Sequence, residues 1–362
     1  MHSYRWSLPF LMAVCLPASW PAHAAAADPS ACTSSAATDC LRSFTPAGAG
    51  GVLHYYSSLA PDAPTATTGP TKALIAMHGH SRDANKTFEA TLRTVRNAGA
   101  LDDTLVVAPL FQVPADKAAS RCNSPGLPVP QPGDLLWTCG SWLEGGRSAS
   151  GSRTGSFAVM DALVAELVQR WPSLRTVTIA GFSAGGQFVQ RYAAFAQNGG
   201  TAGKVAMRYV VADPSTWLYF DPVRPQLSSD GASVSGFAVP DAAACPEMNR
   251  WKYGTDDLPA HLGRSAAQAR RQYAEADISY LEGALDSNDA KGTAYRVLDK
   301  SCAAMAQGSF RLQRGLAYAQ YDRTLLAPAK RREVVVVPGC AHDVACVFPS
   351  EAARAALIGP PR

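Results

Sequence analysis

The sequence predicts an α/β fold, a mostly parallel central sheet flanked by helices, with aromatic-rich cap or lid insertions between its elements. Three observations lead there. Apolar, β-branched runs alternate with amphipathic helical patterns over most of the 362 residues, the signature of parallel strands joined by helical crossovers. Several runs are apolar at consecutive positions, as strands buried on both faces are. One of them, Val177-Thr178-Ile179-Ala180, leads through Gly181-Phe182-Ser183-Ala184-Gly185 into a helix-compatible stretch. Glycines two before and two after a serine, at a strand-to-helix junction, mark a turn too tight for side chains at those positions.

In chain order, Met1 to Ala24 combines Arg5, an apolar core through Leu8, Phe10, Leu11, Met12, Val14 and Leu16, and the small-residue site Ala22-His23-Ala24. This is the pattern of a secretory signal peptide, too short to span a membrane, so a secreted or periplasmic location is expected. Residues 25–46 are small and polar and are expected to be mobile apart from Cys32 and Cys40. The α/β domain then covers 47–362. Its strands are expected at Val52 to Ser57, Ala73 to Met77, Leu105 to Ala108, Val177 to Ala180, Val205 to Ala212, Ile278 to Leu281 and Glu333 to Val337. Helices are clearest at Thr87 to Ala98, Phe157 to Trp171, Gly186 to Ala196 and Ser265 to Ala276. Two stretches break the rhythm, at about 112–156 and 214–262. Both are proline-rich yet keep aromatics, and long insertions of that kind read as lids or binding loops.

The formal charge is +4, with no basic run longer than Lys330-Arg331-Arg332, which argues against a nucleic-acid partner or a polybasic anchor. Beyond the leader no apolar run reaches bilayer length, so no membrane span is expected. Nine cysteines become eight once Cys15 leaves with the leader, and an even count in an exported chain reads as a disulfide framework. Pairing by sequence proximity joins Cys32 to Cys40, Cys122 to Cys139, Cys340 to Cys346 and Cys245 to Cys302, one of many possible connectivities. No Cys-x-x-Cys or His-x-x-x-His pair offers zinc-ligand spacing. No metal or cofactor is called for, and the oligomeric state is left open.

A serine hydroxyl is a poor nucleophile unless a base lies within hydrogen-bond reach and a carboxylate holds that base in one tautomer. Downstream of Ser183 only His261 and His342 are available. His342 follows the run Val334 to Val337 through Pro338-Gly339-Cys340-Ala341, which puts it at the carboxyl edge of the sheet and makes it the candidate base. His261 reads as a surface residue. A Cys340–Cys346 bridge would close a short loop around His342. For the acid, Asp286 follows the strand Ile278 to Leu281 and Gly283. Asp213, ending the strand after the elbow helix, is the alternative, with Asp289 and Asp343 behind it. An oxyanion needs two backbone donors. Ala184 supplies one, and the loop His78-Gly79-His80-Ser81-Arg82-Asp83 the other, through His80 or Ser81. Arg82 and Asp83 are expected to pair. Among the insertion aromatics, Phe111, Trp142 and Trp217 are the candidates for substrate contact, with Trp137 and Tyr219 beside them.

These motifs resemble those of secreted α/β-hydrolases, most closely the serine-esterase branch that includes polyhydroxyalkanoate depolymerases and feruloyl esterases. The resemblance rests on His78-Gly79, Gly181 to Gly186, the Gly283-x-x-Asp286 turn and the late His342, and spans roughly Lys72 to Val347. Those esterases often carry a cysteine soon after the His-Gly pair, where this chain has His80-Ser81-Arg82. The resemblance implies a cofactor-free Ser-His-Asp triad that hydrolyses small-molecule or polymeric carboxylic esters. A peptidase, amidase or acyltransferase would use the same triad, and a non-catalytic binding module could occupy the same scaffold.

Overall fold

Lys72–Met77, Thr104–Leu110 and Thr176–Phe182 are buried at nearly every position, and strands apolar on both faces must lie between two layers. The computed structural model describes residues 1–2, 31–60, 69–118, 122–197, 203–228 and 233–359. The signal peptide expected over 1–24 lies, beyond its first two residues, outside them. The described strands are β1 (Leu41–Phe44), β2 (Leu53–Ser57), β3 (Lys72–Met77), β4 (Thr104–Leu110), β5 (Thr176–Phe182), β6 (Ala206–Ala212), β7 (Arg224–Leu227), β8 (Val234–Ala238), β9 (Asp277–Gly283) and β10 (Val334–Val337). The helices are α1 (Ala84–Asn97), α2 (Ala115–Ala118), α3 (Ser156–Arg170), α4 (Ala184–Phe195), α5 (Ala266–Glu275), α6 (Cys302–Met305), α7 (Arg311–Tyr321), α8 (Val344–Val347) and α9 (Glu351–Ile358).

Eight strands form one sheet in the order β1-β2-β4-β3-β5-β6-β9-β10. The pairings from β4 to β10 are parallel, and β1 and β2 join antiparallel at one side. Strand alternation splits the interior in two. Ala73, Ile75 and Met77 face one core with Phe157, Phe188 and Tyr273, contributed by α3, α4 and α5, while Leu74 and Ala76 face the other with Phe88, Leu92 and Leu357, from α1 and α9. The expected strands are all present with ends shifted by one or two residues, and so are the expected helices, within three.

The differences have physical causes. β1 lies in the segment expected to be mobile. The Cys32–Cys40 bridge sits just before it, and pairing of Leu41 opposite Tyr56 fixes it to the sheet edge. Its residues are half-buried or exposed, so its sequence shows no apolar run. β7 and β8 form a separate hairpin inside the second insertion, where Pro225 hides the strand pattern. α7 escapes the helical period because its buried face carries Arg311, Arg314 and Gly315 beside Tyr318, polar positions that a hydrophobicity pattern counts as exposed. All four disulfides join the cysteines paired by sequence proximity.

β9, α5 and α7 are held together by a buried charge. Asp322 is fully buried and accepts from Arg332 Nη1 at 3.0 Å and from the Tyr280 hydroxyl at 3.1 Å. The same guanidinium donates to the carbonyls of Tyr273 and Ala274 at 3.0 and 2.9 Å. Removing one partner of such a pair leaves an uncompensated charge in the core. Arg332→Met is therefore expected to lower unfolding stability by about 3–5 kcal/mol in urea titrations; a loss under about 1 kcal/mol would mean the pair behaves as a solvated one.

Candidate active site

The site begins where β5 turns into α4. Ser183 sits between them at φ 59°, ψ −120°, a left-handed backbone that a residue with a side chain adopts only under constraint. Its amide donates to Ala212 O at 2.9 Å, tying the turn to β6. A Cβ at Gly181 would run into the carbonyl of Gly185, and one at Gly185 into the carbonyl of Met77. Glycine is thus required at both positions, because β3, the turn and the first turn of α4 touch backbone to backbone.

His342 reaches the same point from the other side of the sheet. β10 ends at Val337, the chain turns, and the Cys340–Cys346 bridge encloses the histidine. The backbone amide of His342 donates to Gly292 O at 3.1 Å, and its ring packs on Phe182 with centroids 4.7 Å apart. His342 Nε2 lies 2.8 Å from Ser183 Oγ, and Nδ1 lies 2.7 Å from Asp286 Oδ2. Burial pushes the imidazole below its ordinary value of 6.5, while the bond to Asp286 opposes that shift. His261 lies elsewhere, with Nε2 2.9 Å from Gly145 O.

Of the candidate acids, Asp286 meets His342 and Asp213 does not. Asp213 accepts the amide of Gly283 at 2.8 Å and is fully buried, which pushes its carboxyl up to about 7. Asp343 accepts the Ala345 amide at the start of α8, and Asp289 is exposed. Two neighbours of Asp286 have no signal in the sequence. Glu282 is fully buried next to Asp213, and burial pushes it well up. Arg311, 25 residues from Asp286, places Nη1 3.3 Å from Asp286 Oδ1.

The loop after β3 is ordered by a residue that sequence reading noted only as part of a motif. His78 is fully buried, and its Nε2 accepts the amide of Phe111 at 3.2 Å. Nδ1 therefore carries the proton and donates to Gly79 O at 2.9 Å. Burial lowers this imidazole to about 3, so it is neutral. In a trans peptide the C=O and the following N–H point in opposite directions. Holding the Gly79 carbonyl inward thus turns the His80 amide outward, and His80 lines the cleft. The Gly79 amide is fixed in turn by Asp83 Oδ1 at 2.8 Å. Among the described residues no hydrogen bond occupies the amide of His80 or Ala184. The ion pair expected between Arg82 and Asp83 is not formed: Arg82 Nε reaches across to Cys122 O at 2.8 Å, while Asp83 is taken by Gly79.

Ser183 and His342 open onto a cleft of about 480 Å³. Its walls include Lys86, Glu89 and Arg93 of α1, with Phe182, Val297 and Val344 as apolar patches. The three aromatics expected to contact substrate are not there. Phe111, Trp142 and Trp217 are all fully buried in the core. Phe111 stacks with Trp142 at 6.0 Å and packs on Phe188 at 5.5 Å, and Trp217 stacks on Tyr318 at 4.3 Å. The insertions use these rings to dock onto the sheet rather than to line the cleft. Metal-ligand geometry is confined, among the described residues, to two groups. Cys245 and Cys302 are joined as a disulfide, and in the Asp213, Asp286 and His342 group both ring nitrogens already have partners.

Neither a protein-family model nor a curated protein matches the sequence. Solved structures do match. The chain is similar to poly(aspartic acid) hydrolase-1 from Sphingomonas sp. KT-1, with a TM-score of 0.57 and 20% identity over 88% of this chain and 97% of that one. It is also similar to the poly(3-hydroxybutyrate) depolymerase LpqC from Bordetella parapertussis, with a TM-score of 0.55 and 16% identity over 86% and 88% of the two chains. With its mixed eight-stranded sheet, its elbow at Ser183 and this likeness over nearly the whole length, the chain has the α/β-hydrolase fold.

Proposed function

We propose that this chain is a secreted or periplasmic serine hydrolase of carboxylic esters. The observation that carries the reading is the relay in which Ser183 Oγ lies 2.8 Å from His342 Nε2 and His342 Nδ1 lies 2.7 Å from Asp286 Oδ2. Ser183 attacks the ester carbonyl while His342 takes the hydroxyl proton, and the imidazolium is balanced by Asp286. The amides of Ala184 and His80 receive the oxyanion. Collapse expels the alcohol, which leaves with the proton from His342, and the acyl group stays on Ser183. Water, deprotonated by His342, then releases the acid and restores the serine.

The cleft supports short or polar acyl groups over long aliphatic chains. Charged side chains of Asp83, Lys86, Glu89 and Arg93 stand on its walls between apolar patches, and the large aromatics that would build an acyl tunnel are packed in the core. An amide substrate is the second reading. The likeness to a poly(aspartic acid) hydrolase favours it, because poly(aspartic acid) is joined by amide bonds and the same relay serves both leaving groups. Four disulfides among the described residues support an oxidising compartment. Among those residues no helix is long and apolar enough to cross a membrane.

Three outcomes test this reading. Ser183→Ala is expected to lower kcat about a thousandfold or more and to abolish fluorophosphonate labelling with the circular dichroism spectrum unchanged; labelling that persists would move the nucleophile elsewhere. His342 must be neutral to act as base, and its value is held below 6.5, so the acid limb of kcat/KM is expected below pH 6.5. A limb above that value would contradict the environment described for His342. In a panel of p-nitrophenyl esters from acetate to palmitate, with a matching anilide, kcat/KM is expected to fall by about tenfold or more between the shortest and longest chains. A preference for palmitate would overturn this reading of the cleft.

A further inference from the structure

Beneath Asp286 lies a charge cluster that hydrolysis as drawn above does not use. Asp213, Glu282, Asp286 and Arg311 are each no more than 2% exposed. One carboxylate oxygen each from Asp213 and Asp286 and one nitrogen of His342 lie within 4.8 Å of one another. The second oxygen of Asp213 and both oxygens of Glu282 meet no donor in the protein except each other's carboxyl group. Three buried carboxyl groups thus lie in the field of one buried guanidinium.

Arg311 is oddly placed for a structural cation. It is the first residue of α7, where the helix dipole opposes positive charge, and it is buried there. Asp286 compensates it. Arg311 Nη1 reaches Asp286 Oδ1 at 3.3 Å and Thr293 O at 2.8 Å, while the Leu312 amide donates to the backbone oxygen of Asp286 at 3.1 Å. The start of α7 therefore grips the acid at two points, through its backbone and through the carboxylate oxygen that His342 does not use.

We propose that Arg311 is a positioning residue: it fixes the rotamer in which Asp286 meets His342 and places a positive charge among three buried carboxyl groups beneath the relay. The inference rests on the serine-hydrolase reading. The groups facing the pair are Arg311 from α7, Asp213 after β6, Glu282 on β9, Ser183 at the elbow and, further off, Asp83 in the loop after β3. Asp286 and Asp83 favour protonation of His342, and Arg311 opposes it. Without the guanidinium the imidazolium would form more readily and the base would be lost at a higher pH.

The test compares Arg311→Gln and Arg311→Lys with wild type, reading kcat, KM, the acid limb of kcat/KM and fluorophosphonate labelling of Ser183. Arg311→Gln is expected to lower kcat about 10- to 100-fold with KM little changed, and to move the acid limb up by about 0.5–1 pH unit. Arg311→Lys keeps the charge and the Leu312 amide bond but replaces the planar guanidinium that meets Asp286 Oδ1 and Thr293 O, so kcat is expected to fall several-fold with the limb unmoved. A folded Arg311→Gln with a wild-type limb and kcat would overturn the proposal and leave Arg311 purely structural. Should Arg311→Gln not fold, the lysine variant decides: a reduced kcat with an unmoved limb supports the role, and a shifted limb or a wild-type kcat sinks it. Wild-type protein that neither labels nor turns over ester would instead refute the serine-hydrolase reading, since every comparison here is made relative to it.

Discussion

Everything at this site hangs on one close approach of backbone to backbone. The first turn of α4 rests on the carbonyls of Met77 and Gly181 with no side chain between them. That contact fixes how α4 lies across β3, β5 and β6, and it forces Ser183 into its left-handed backbone at the rim of the sheet. The other parts are then set by strand order. β9 and β10 run parallel to β6 on one side, so the turns that follow them deliver Asp286 and His342 to the same edge, and β3 on the other side delivers the His78 to Asp83 loop. A side chain at Gly181 or Gly185 would separate α4 from the sheet and with it Ser183 from His342.

Most of the frame was legible in the sequence because parallel strands buried on both faces write themselves as apolar runs, and the elbow adds a local steric signature. Ser183 and His342 could be chosen because few serines and histidines lie in such positions. The acid is read from sequence as Asp286, with Asp213 as the alternative and Asp289 and Asp343 behind it; Asp213 and Asp286 both follow strands at the right edge, and the side-chain geometry turns Asp213 to the Gly283 amide instead. Other features carry no sequence mark. Arg311 comes from a helix whose buried face is polar, 25 residues from its partner. Phe111, Trp142 and Trp217 show the opposite limit: an aromatic in an insertion reads the same whether it lines a cleft or packs under it, and here the rings fill the core against Phe188 and Tyr318.

The interior also holds irregular chain by an unusual means. Arg82, Arg191, Arg224, Arg311 and Arg314 are all essentially fully buried. Their guanidinium groups turn to the carbonyls and hydroxyls of segments outside the sheet: Arg82 to Cys122, Arg191 to Thr216, Arg224 to Tyr253, and Arg314 to Gly308 and Asp299. A loop that passes through the interior has no ladder to satisfy its backbone oxygens, and a planar five-donor side chain can satisfy several at once. Aromatic rings give the insertions their apolar contact with the sheet, and arginines give their backbones partners.

The two sides of α1 are divided in a way that bears on how such a protein changes over time. Phe88, Leu92 and Val95 are fully buried and carry the helix onto the sheet, whereas Lys86, Glu89 and Arg93 are exposed and form one wall of the cleft. Lys86 and Arg93 are set apart from the packing, whereas Glu89 also accepts the Ala36 amide at 3.1 Å and ties the N-terminal segment to the helix. Replacement of Lys86 or Arg93 alters the charge of the cleft wall and touches neither the packed face nor the elbow. The charge of that wall can therefore change without any compensating change in the core.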